Sequence, residues 1–322
     1  MLPPKKELTI CFAHVAYQMQ QRFELRGTDI GCFQVRTREE LDRRISEADV
    51  LAVSMMWHNE LIGQVPRLRF IQSISAGVDQ YDRDRLVSTG IRLASAAGVN
   101  ARAVAEHAMA LILALVRRLP EARDNQAKRI WRGMISDLAA REDELGGKTL
   151  LIVGLGRIGG RLAELARAFD MRVLAMRRDP SAGAGAAHEV HGMDRLGNLL
   201  ARADIVALTC PLTPQTERLI NTETLRLMPP HAMLVNVARG RCVDEPALIE
   251  ALNQKRIAGA ALDCAADEPL PASSVLWAMP NLLITPRTAG ETRRYEDNVI
   301  DILLENLDRL WRGETTLRNQ VV

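Results

Sequence analysis

Apolar runs of strand length recur along the chain, separated by stretches with helical spacing. The runs cover residues 8–12, 50–54, 70–74, 149–153, 172–175, 205–209, 232–237, 258–262 and 282–285. Each is too short for a buried helix, and the helical stretches between them predict parallel strands covered on both faces. Nine strands are too many for one small sheet. The first three are therefore assigned to one sheet and those from residue 149 onward to a second, longer one.

The segment 100–119 reads as a helix. Asn100 suits an N-cap, Arg117 and Arg118 suit the last turn, and Pro120 lies just beyond. Its surface is apolar on most sides, so it is covered either by the core or by a second subunit. The final helix is expected over 291–311. There Ile300, Leu303, Leu304, Leu307, Leu310 and Trp311 form one stripe at spacings of three and four. That stripe predicts packing back onto the first domain. The expected fold is thus α/β, with two Rossmann-like doubly wound parallel-sheet domains and a cleft between them. A discontinuous, flavodoxin-like substrate domain spans 1–100 plus 290–322, and a dinucleotide-binding domain spans 101–289. The chain crosses between them near 98–103 and near 286–290.

Composition narrows the function. A length of 322 residues supports two cores, and a net charge of +2 removes any bulk electrostatic case for nucleic acid. The most apolar stretch, 103–116, is interrupted by Glu106 and His107, so no membrane span is expected. Residues 1–9 are charged and lack an apolar signal core. Cys11, Cys32, Cys210, Cys242 and Cys264 are scattered and form no CxxC, which predicts reduced thiols and a cytoplasmic protein.

The second sheet opens on a glycine motif, Gly154-Leu-Gly156-Arg157-Ile158-Gly159. Such a motif alone is weak, but this one follows a strand and starts a helix, with another strand after it. Gly154 permits a tight turn, Gly156 lets the backbone approach a pyrophosphate, and Gly159 lets helix and strand pack closely. The phosphates then lie at the helix N-terminus, where N–H groups and the dipole favour anions. In this arrangement an acid at the end of the next strand usually binds the ribose 2′-hydroxyl. Here the strand ends Met176-Arg177-Arg178-Asp179. Arg177 and Arg178 suit a 2′-phosphate, which favours NADP(H) over NAD(H). The alternative is that both arginines are solvated surface charges and Asp179 holds the hydroxyl two residues late.

Motifs in the rest of the chain make a family recognisable. They are Ser75-Ala-Gly-Val-Asp79, Gly98-Val-Asn-Ala101, Val104-Ala-Glu-His107, Cys210-Pro-Leu-Thr-Pro-Gln-Thr216, Leu234-Val-Asn-Val-Ala-Arg-Gly240, Ala261-Leu-Asp263, Asp267-Glu-Pro-Leu270 and Pro280-Asn-Leu-Leu-Ile-Thr-Pro286. With the glycine motif, they make the sequence resemble the D-isomer-specific 2-hydroxyacid dehydrogenases, such as phosphoglycerate dehydrogenases and glyoxylate/hydroxypyruvate reductases. The resemblance runs from about Leu68 to Trp311. It implies hydride transfer between a nicotinamide and a small anionic 2-oxo or 2-hydroxy acid, and a homodimer built through the cofactor domain. It further implies that Arg239 clamps the substrate, that Glu268 orients the catalytic base, and that Asp263 holds the nicotinamide carboxamide. Ser75, Ala76 and Gly77 resemble the turn whose N–H groups receive the substrate carboxylate. Val104, Arg157, Ile158, Cys210, Pro211, Thr216, Val237, Ala238 and Gly290 match positions that line the cofactor.

One departure bears on the chemistry. The family carries its acid/base histidine in a Thr-Pro-His segment, and here the segment reads Thr285-Pro286-Arg287. Arginine stays protonated and cannot accept a proton at neutral pH. No other histidine is an obvious replacement: His107 fits a structural place in the long helix, and His58 follows a strand of the first domain and is the first candidate. His188 and His191 have HxxH spacing but no third ligand, so no metal is expected. Two readings remain. One is an NAD(P)-dependent oxidoreductase in which Arg239, Glu268 and Arg287 form the catalytic group. The other is a dinucleotide-binding sensor or interaction protein with little or no turnover.

Overall fold

A computed structural model describes residues 2–322. The chain divides into two compact units, Met1–Asn100 with Thr292–Val322, and Ala101–Glu291.

The first unit holds the strands β1 (Thr9–Ala13), β2 (Gly31–Val35), β3 (Val50–Val53), β4 (Phe70–Ser73) and β5 (Arg92–Ala94). They form one parallel sheet in the order β2-β1-β3-β4-β5. Its three central strands are the three apolar runs of the sequence. The helix Tyr295–Trp311 joins this sheet from the far end of the chain. Its Val299, Ile300, Leu303 and Leu307 share one buried cluster with Phe12, Phe70 and Ile74. Burying each such side chain contributes about 1.5–3 kcal/mol, which ties the C-terminal segment to this unit. Two polar contacts fix the register. Tyr295 donates to the Ile74 carbonyl at 2.8 Å, and the buried Asn306 amide donates to Gln72 Oε1 at 3.1 Å.

The second unit holds β6 (Thr149–Val153), β7 (Arg172–Met176), β8 (Glu189–His191), β9 (Ile205–Leu208), β10 (Met233–Asn236), β11 (Gly259–Leu262) and β12 (Leu282–Ile284). They too are all parallel, in the order β12-β11-β10-β9-β6-β7-β8. The strand order reverses at β6. Ligands of open parallel sheets bind at the carboxyl ends of strands beside such a reversal.

The structure departs from the sequence pattern in three places. The strands β2, β5 and β8 interrupt no apolar run and were not expected. All three are sheet edges, short or half-exposed, and need little apolar character. The long helix ends at Val116, and Pro120 lies in the first turn of a further helix, Leu119–Ala127, rather than beyond the last one. Proline is tolerated there because the first-turn N–H groups have no intrahelical acceptor. The final helix begins at Tyr295, four residues later than its apolar stripe suggested.

The apolar helix Ala101–Val116 is mostly covered within its own unit. Val104, Ala105, Ala108, Met109, Leu111, Ile112 and Val116 are buried. They share a cluster with Leu162, Ala163 and Ala166 of the helix Arg157–Ala168. Among the described residues, no helix is long and apolar enough to cross a membrane.

Candidate active site

The glycine motif occupies the turn from β6 into the helix Arg157–Ala168. Gly154 has a φ of +108°, and a Cβ there would lie 2.7 Å from the Cys210 backbone. A Cβ on Gly159 would lie 2.3 Å from the Gly154 carbonyl oxygen and 2.9 Å from Ile152. Both positions need glycine for the fold itself. Gly156 differs, because nothing lies within 4 Å of a Cβ built there. It caps the helix with no side-chain hydrogen bond, so open space and a helix N-terminus coincide. That combination fits a dinucleotide pyrophosphate. Arg157 and Ile158 form the first turn of this helix.

Around this turn the carboxyl ends of β9, β10, β11 and β12 carry the other candidate residues. Cys210 and Pro211 follow β9. Thr216 is engaged within its own loop, donating to the Pro211 carbonyl at 2.6 Å and accepting from the Thr213 N–H at 2.8 Å. Val237, Ala238 and Arg239 follow β10, with Val237 and Ala238 buried and Arg239 exposed. Gly240 is required sterically, because a Cβ there would lie 1.8 Å from the Ala265 carbonyl oxygen. The close approach sets the Arg239 turn against the loop that leads to Glu268.

Asp263 follows β11 and is buried. Its carboxylate accepts from Thr285 Oγ1 at 2.7 Å and from the N–H groups of Thr288 at 3.0 Å and Ala289 at 3.1 Å. Burial opposes ionisation, but the nearby His107 ring and hydrogen bonds from Thr285 and the Ala289 N–H outweigh it and hold the carboxyl below the usual carboxylate range. The one hydroxyl proton of Thr285 goes to Asp263. His107 Nε2, 2.9 Å from Thr285 Oγ1, must then donate to that oxygen. His107 therefore has a structural place, tying the long helix to the segment after β12. Val104 is buried one turn earlier in the same helix, and Gly290 ends the segment half-buried.

Arg287 lies in that segment with a φ of +59° and its N–H bonded to the Thr285 carbonyl at 2.9 Å. Its Nη1 donates to Glu268 Oε2 at 2.6 Å, and Glu268 Oε1 accepts from the Ala265 N–H at 3.2 Å. A charge-assisted pair thus stands where an imidazole–carboxylate pair was implied. The left-handed backbone at Arg287 and the Thr285 link to Asp263 had no signal in the sequence.

A thiol pair was also missed. The neighbouring Cys210 and Cys242 thiols act on each other, Cys210 being pushed up and Cys242 pulled down. Burial pushes the Cys264 thiol up to about 12. The five cysteines are free.

The expected 2′-phosphate site divides between its two arginines. Arg177 Nη1 donates to the carbonyls of Ala182 at 3.3 Å and Gly183 at 3.1 Å, bracing the loop. Arg178 is exposed and has no protein partner among the described residues. Asp179 is committed to its own turn, accepting from the Ser181 N–H at 3.0 Å and hydroxyl at 2.6 Å.

In the first unit, Ser75–Gly77 follow β4. The Ser75 N–H bonds to Ser73 Oγ at 3.3 Å, whereas the N–H groups of Ala76 and Gly77 have no acceptor among the described residues. Both ring nitrogens of His58 are engaged by carboxylates, Nδ1 with Glu60 at 2.9 Å and Nε2 with Asp42 at 2.7 Å. His188 accepts from the Val173 N–H at 3.0 Å, and His191 contacts Glu189 at 3.2 Å. Among the described residues no three His, Cys, Asp or Glu side chains gather to hold a metal ion.

A reversed parallel sheet with a glycine turn at its switch point defines a dinucleotide-binding α/β protein. The profile of the D-isomer specific 2-hydroxyacid dehydrogenase NAD binding domain matches residues 109–289. The chain belongs to that family. It is 35% identical over 282 residues to D-3-phosphoglycerate dehydrogenase of Methanocaldococcus jannaschii, covering 86% of this chain and 52% of that protein. The chain thus spans about half the length of that relative. It is 35% identical over 280 residues to glyoxylate reductase of Thermofilum pendens, covering 86% of this chain and 83% of the relative. A solved acyclic imino acid reductase in complex with NADPH and D-Arg superposes with a TM-score of 0.79 at 26% identity, covering 98% of this chain and 100% of that one.

Proposed function

We propose that the protein is an NADP(H)-preferring oxidoreductase acting on a small 2-oxo or 2-hydroxy acid. The observation that carries this reading is the convergence, at one sheet edge, of the Gly156 cradle with Arg239, Asp263, Glu268 and Arg287. The nicotinamide supplies or takes up the hydride. Arg239 binds the acid through its guanidinium fork and polarises the carbonyl at C2. Asp263, fixed by Thr285 and the N–H groups of Thr288 and Ala289, holds the carboxamide end of the cofactor. Arg287, steadied by Glu268, stabilises negative charge developing on the substrate oxygen. It cannot transfer a proton at neutral pH, so the proton comes from water and turnover is slow. The free N–H groups of Ala76 and Gly77 offer the first unit's anion site.

The cofactor preference rests on Arg178, whose donors are free, and on Asp179, whose carboxylate is already engaged. Reduction of glyoxylate and hydroxypyruvate, followed by loss of cofactor absorbance, is expected with both cofactors and faster with NADPH. A charge-assisted hydrogen bond contributes about 1.5–3 kcal/mol. Arg178→Ala should accordingly weaken NADPH binding at least about tenfold and leave NADH binding near its wild-type value. Tighter binding of NADH by the wild type would remove the 2′-phosphate site. Tight cofactor binding with no reduction of any 2-oxo acid would instead favour the sensor reading, which the engagement of Arg287 by Glu268 supports.

The expected homodimer needs a different surface from the one the sequence suggested, because the helix Ala101–Val116 is largely internal. Ile130, Trp131, Met134 and Leu138 of the same unit are exposed, Trp131 at 98% and Met134 at 103%. Clustered exposure of this kind favours a covered interface. Light scattering at micromolar concentration should give twice the chain mass, and Trp131→Glu with Met134→Glu should give the chain mass alone. A monomeric wild type would refute the assignment.

A further inference from the structure

A cavity of about 420 Å³ opens next to the Glu268–Arg287 pair, within the second unit. Its apolar wall comes from Leu262 at the end of β11, Ile284 at the end of β12, and Leu276 and Trp277 in the one-turn helix Val275–Ala278. The Trp277 ring is held in place by its own N–H, which donates to the Pro271 carbonyl at 3.0 Å. Cavities of this size, apolar with a few polar groups, are the usual form of small-molecule sites.

The polar groups in the wall differ in what they have left to offer. Asp263 is satisfied by Thr285 and by the N–H groups of Thr288 and Ala289. Glu268 accepts from Ala265 on one oxygen and from Arg287 on the other. Arg287 uses only Nη1, so its Nε and Nη2 donors have no acceptor among the described residues. Free donors of a cation beside an apolar cavity select an anion that carries an apolar group. We propose that this cavity is the side-chain pocket of the substrate, and that the preferred substrate is a 2-oxo acid bearing a branched alkyl or aryl group. Arg239 takes the acid end as above, the C2 oxygen meets the free donors of Arg287, and the apolar group fills the cavity. The inference rests on the oxidoreductase reading above. Glyoxylate has no side chain and would leave the cavity empty.

The test compares phenylpyruvate with glyoxylate as substrates of the whole protein, with both reduced cofactors. It also titrates tryptophan fluorescence with phenylacetate, which has no keto group to reduce. One methylene in a fitted apolar pocket changes kcat/KM roughly 10–200-fold. Phenylpyruvate is therefore expected to exceed glyoxylate at least about tenfold in kcat/KM. Trp277→Ser should lower the ratio of the two values about tenfold, and Trp277→Phe should restore it. Phenylacetate should quench the wild type and leave the fluorescence of Trp277→Phe unchanged. Glyoxylate turnover equal to or above that of phenylpyruvate, with no quenching, overturns the pocket and leaves the oxidoreductase reading standing. Quenching with no turnover of either acid sustains the pocket's ligand class and overturns the oxidoreductase reading.

Discussion

Arg287→His is expected to raise turnover of glyoxylate or hydroxypyruvate about tenfold or more. The wild-type guanidinium stands 2.6 Å from Glu268. A histidine at this position would face the same carboxylate, which would fix its tautomer and stabilise its protonated form. A positioned general acid or base contributes roughly 10²–10⁴-fold, so a tenfold gain requires only part of that effect. The backbone tolerates the change, since histidine is among the residues enriched at positive φ and Arg287 has a φ of +59°. Oxidation should gain more than reduction, because arginine cannot accept the alcohol proton at neutral pH. The variant should also acquire a pH dependence near neutrality in kcat/KM, absent from the wild type. Brisk wild-type turnover that falls in Arg287→His would mean that the proton comes from another group. His58 would be the weaker choice for that group, since both its ring nitrogens already contact carboxylates.

Alanine at three glycines should separate folding from cofactor binding. In Gly159→Ala the new Cβ meets the Gly154 carbonyl at 2.3 Å, and in Gly240→Ala it meets the Ala265 carbonyl at 1.8 Å. Neither backbone atom can swing away as a side chain would, and overpacking of this kind costs about 1–3 kcal/mol or more. Both variants should show clearly lowered urea midpoints. Gly240→Ala should also lose activity, because Arg239 and the Glu268 loop must move apart. Gly156→Ala has no neighbour within 4 Å of its Cβ. Its stability should stay within about 1 kcal/mol of wild type. Its cofactor affinity should fall at least about tenfold, because the methyl group occupies the space the pyrophosphate needs. Equal loss of stability in Gly156→Ala and Gly159→Ala, or wild-type cofactor affinity in Gly156→Ala, would contradict this division.

Much of the architecture follows from the chain's own pattern. Strands buried on both faces are mostly apolar, so β1, β3, β4, β6, β7, β9, β10 and β11 announce themselves as short runs, with Gln72 and Ser73 in β4 and Asn236 in β10 as buried polar exceptions. The C-terminal stripe from Ile300 to Trp311 likewise requires a partner sheet, because a one-sided apolar helix is unstable alone. The glycine spacing is legible because a tight turn, a close approach and a close packing each exclude a side chain. The edge strands β2, β5 and β8 are different. β2 and β8 are half-exposed and need not be apolar, and β5 is only three residues long, its outer flank bonded to the chain's last residues, so none leaves a run to read.

The site divides along the same line. That a guanidinium replaces the imidazole at residue 287 is plain from the sequence. That it bonds Glu268 with one nitrogen, keeps other donors free and borders an apolar cavity depends on segments that meet only in the folded chain. The same holds for Arg177 and Arg178. They are adjacent and chemically identical, yet one braces the loop at Ala182–Gly183 and the other stays free. Local sequence determines which groups can donate and which positions must be small. Tertiary structure decides which donors are already satisfied, because hydrogen-bond partners distant in sequence are set by how the strands and loops pack. For this protein, those remaining donors at Arg178 and Arg287 are the groups on which the proposed cofactor and substrate preferences rest.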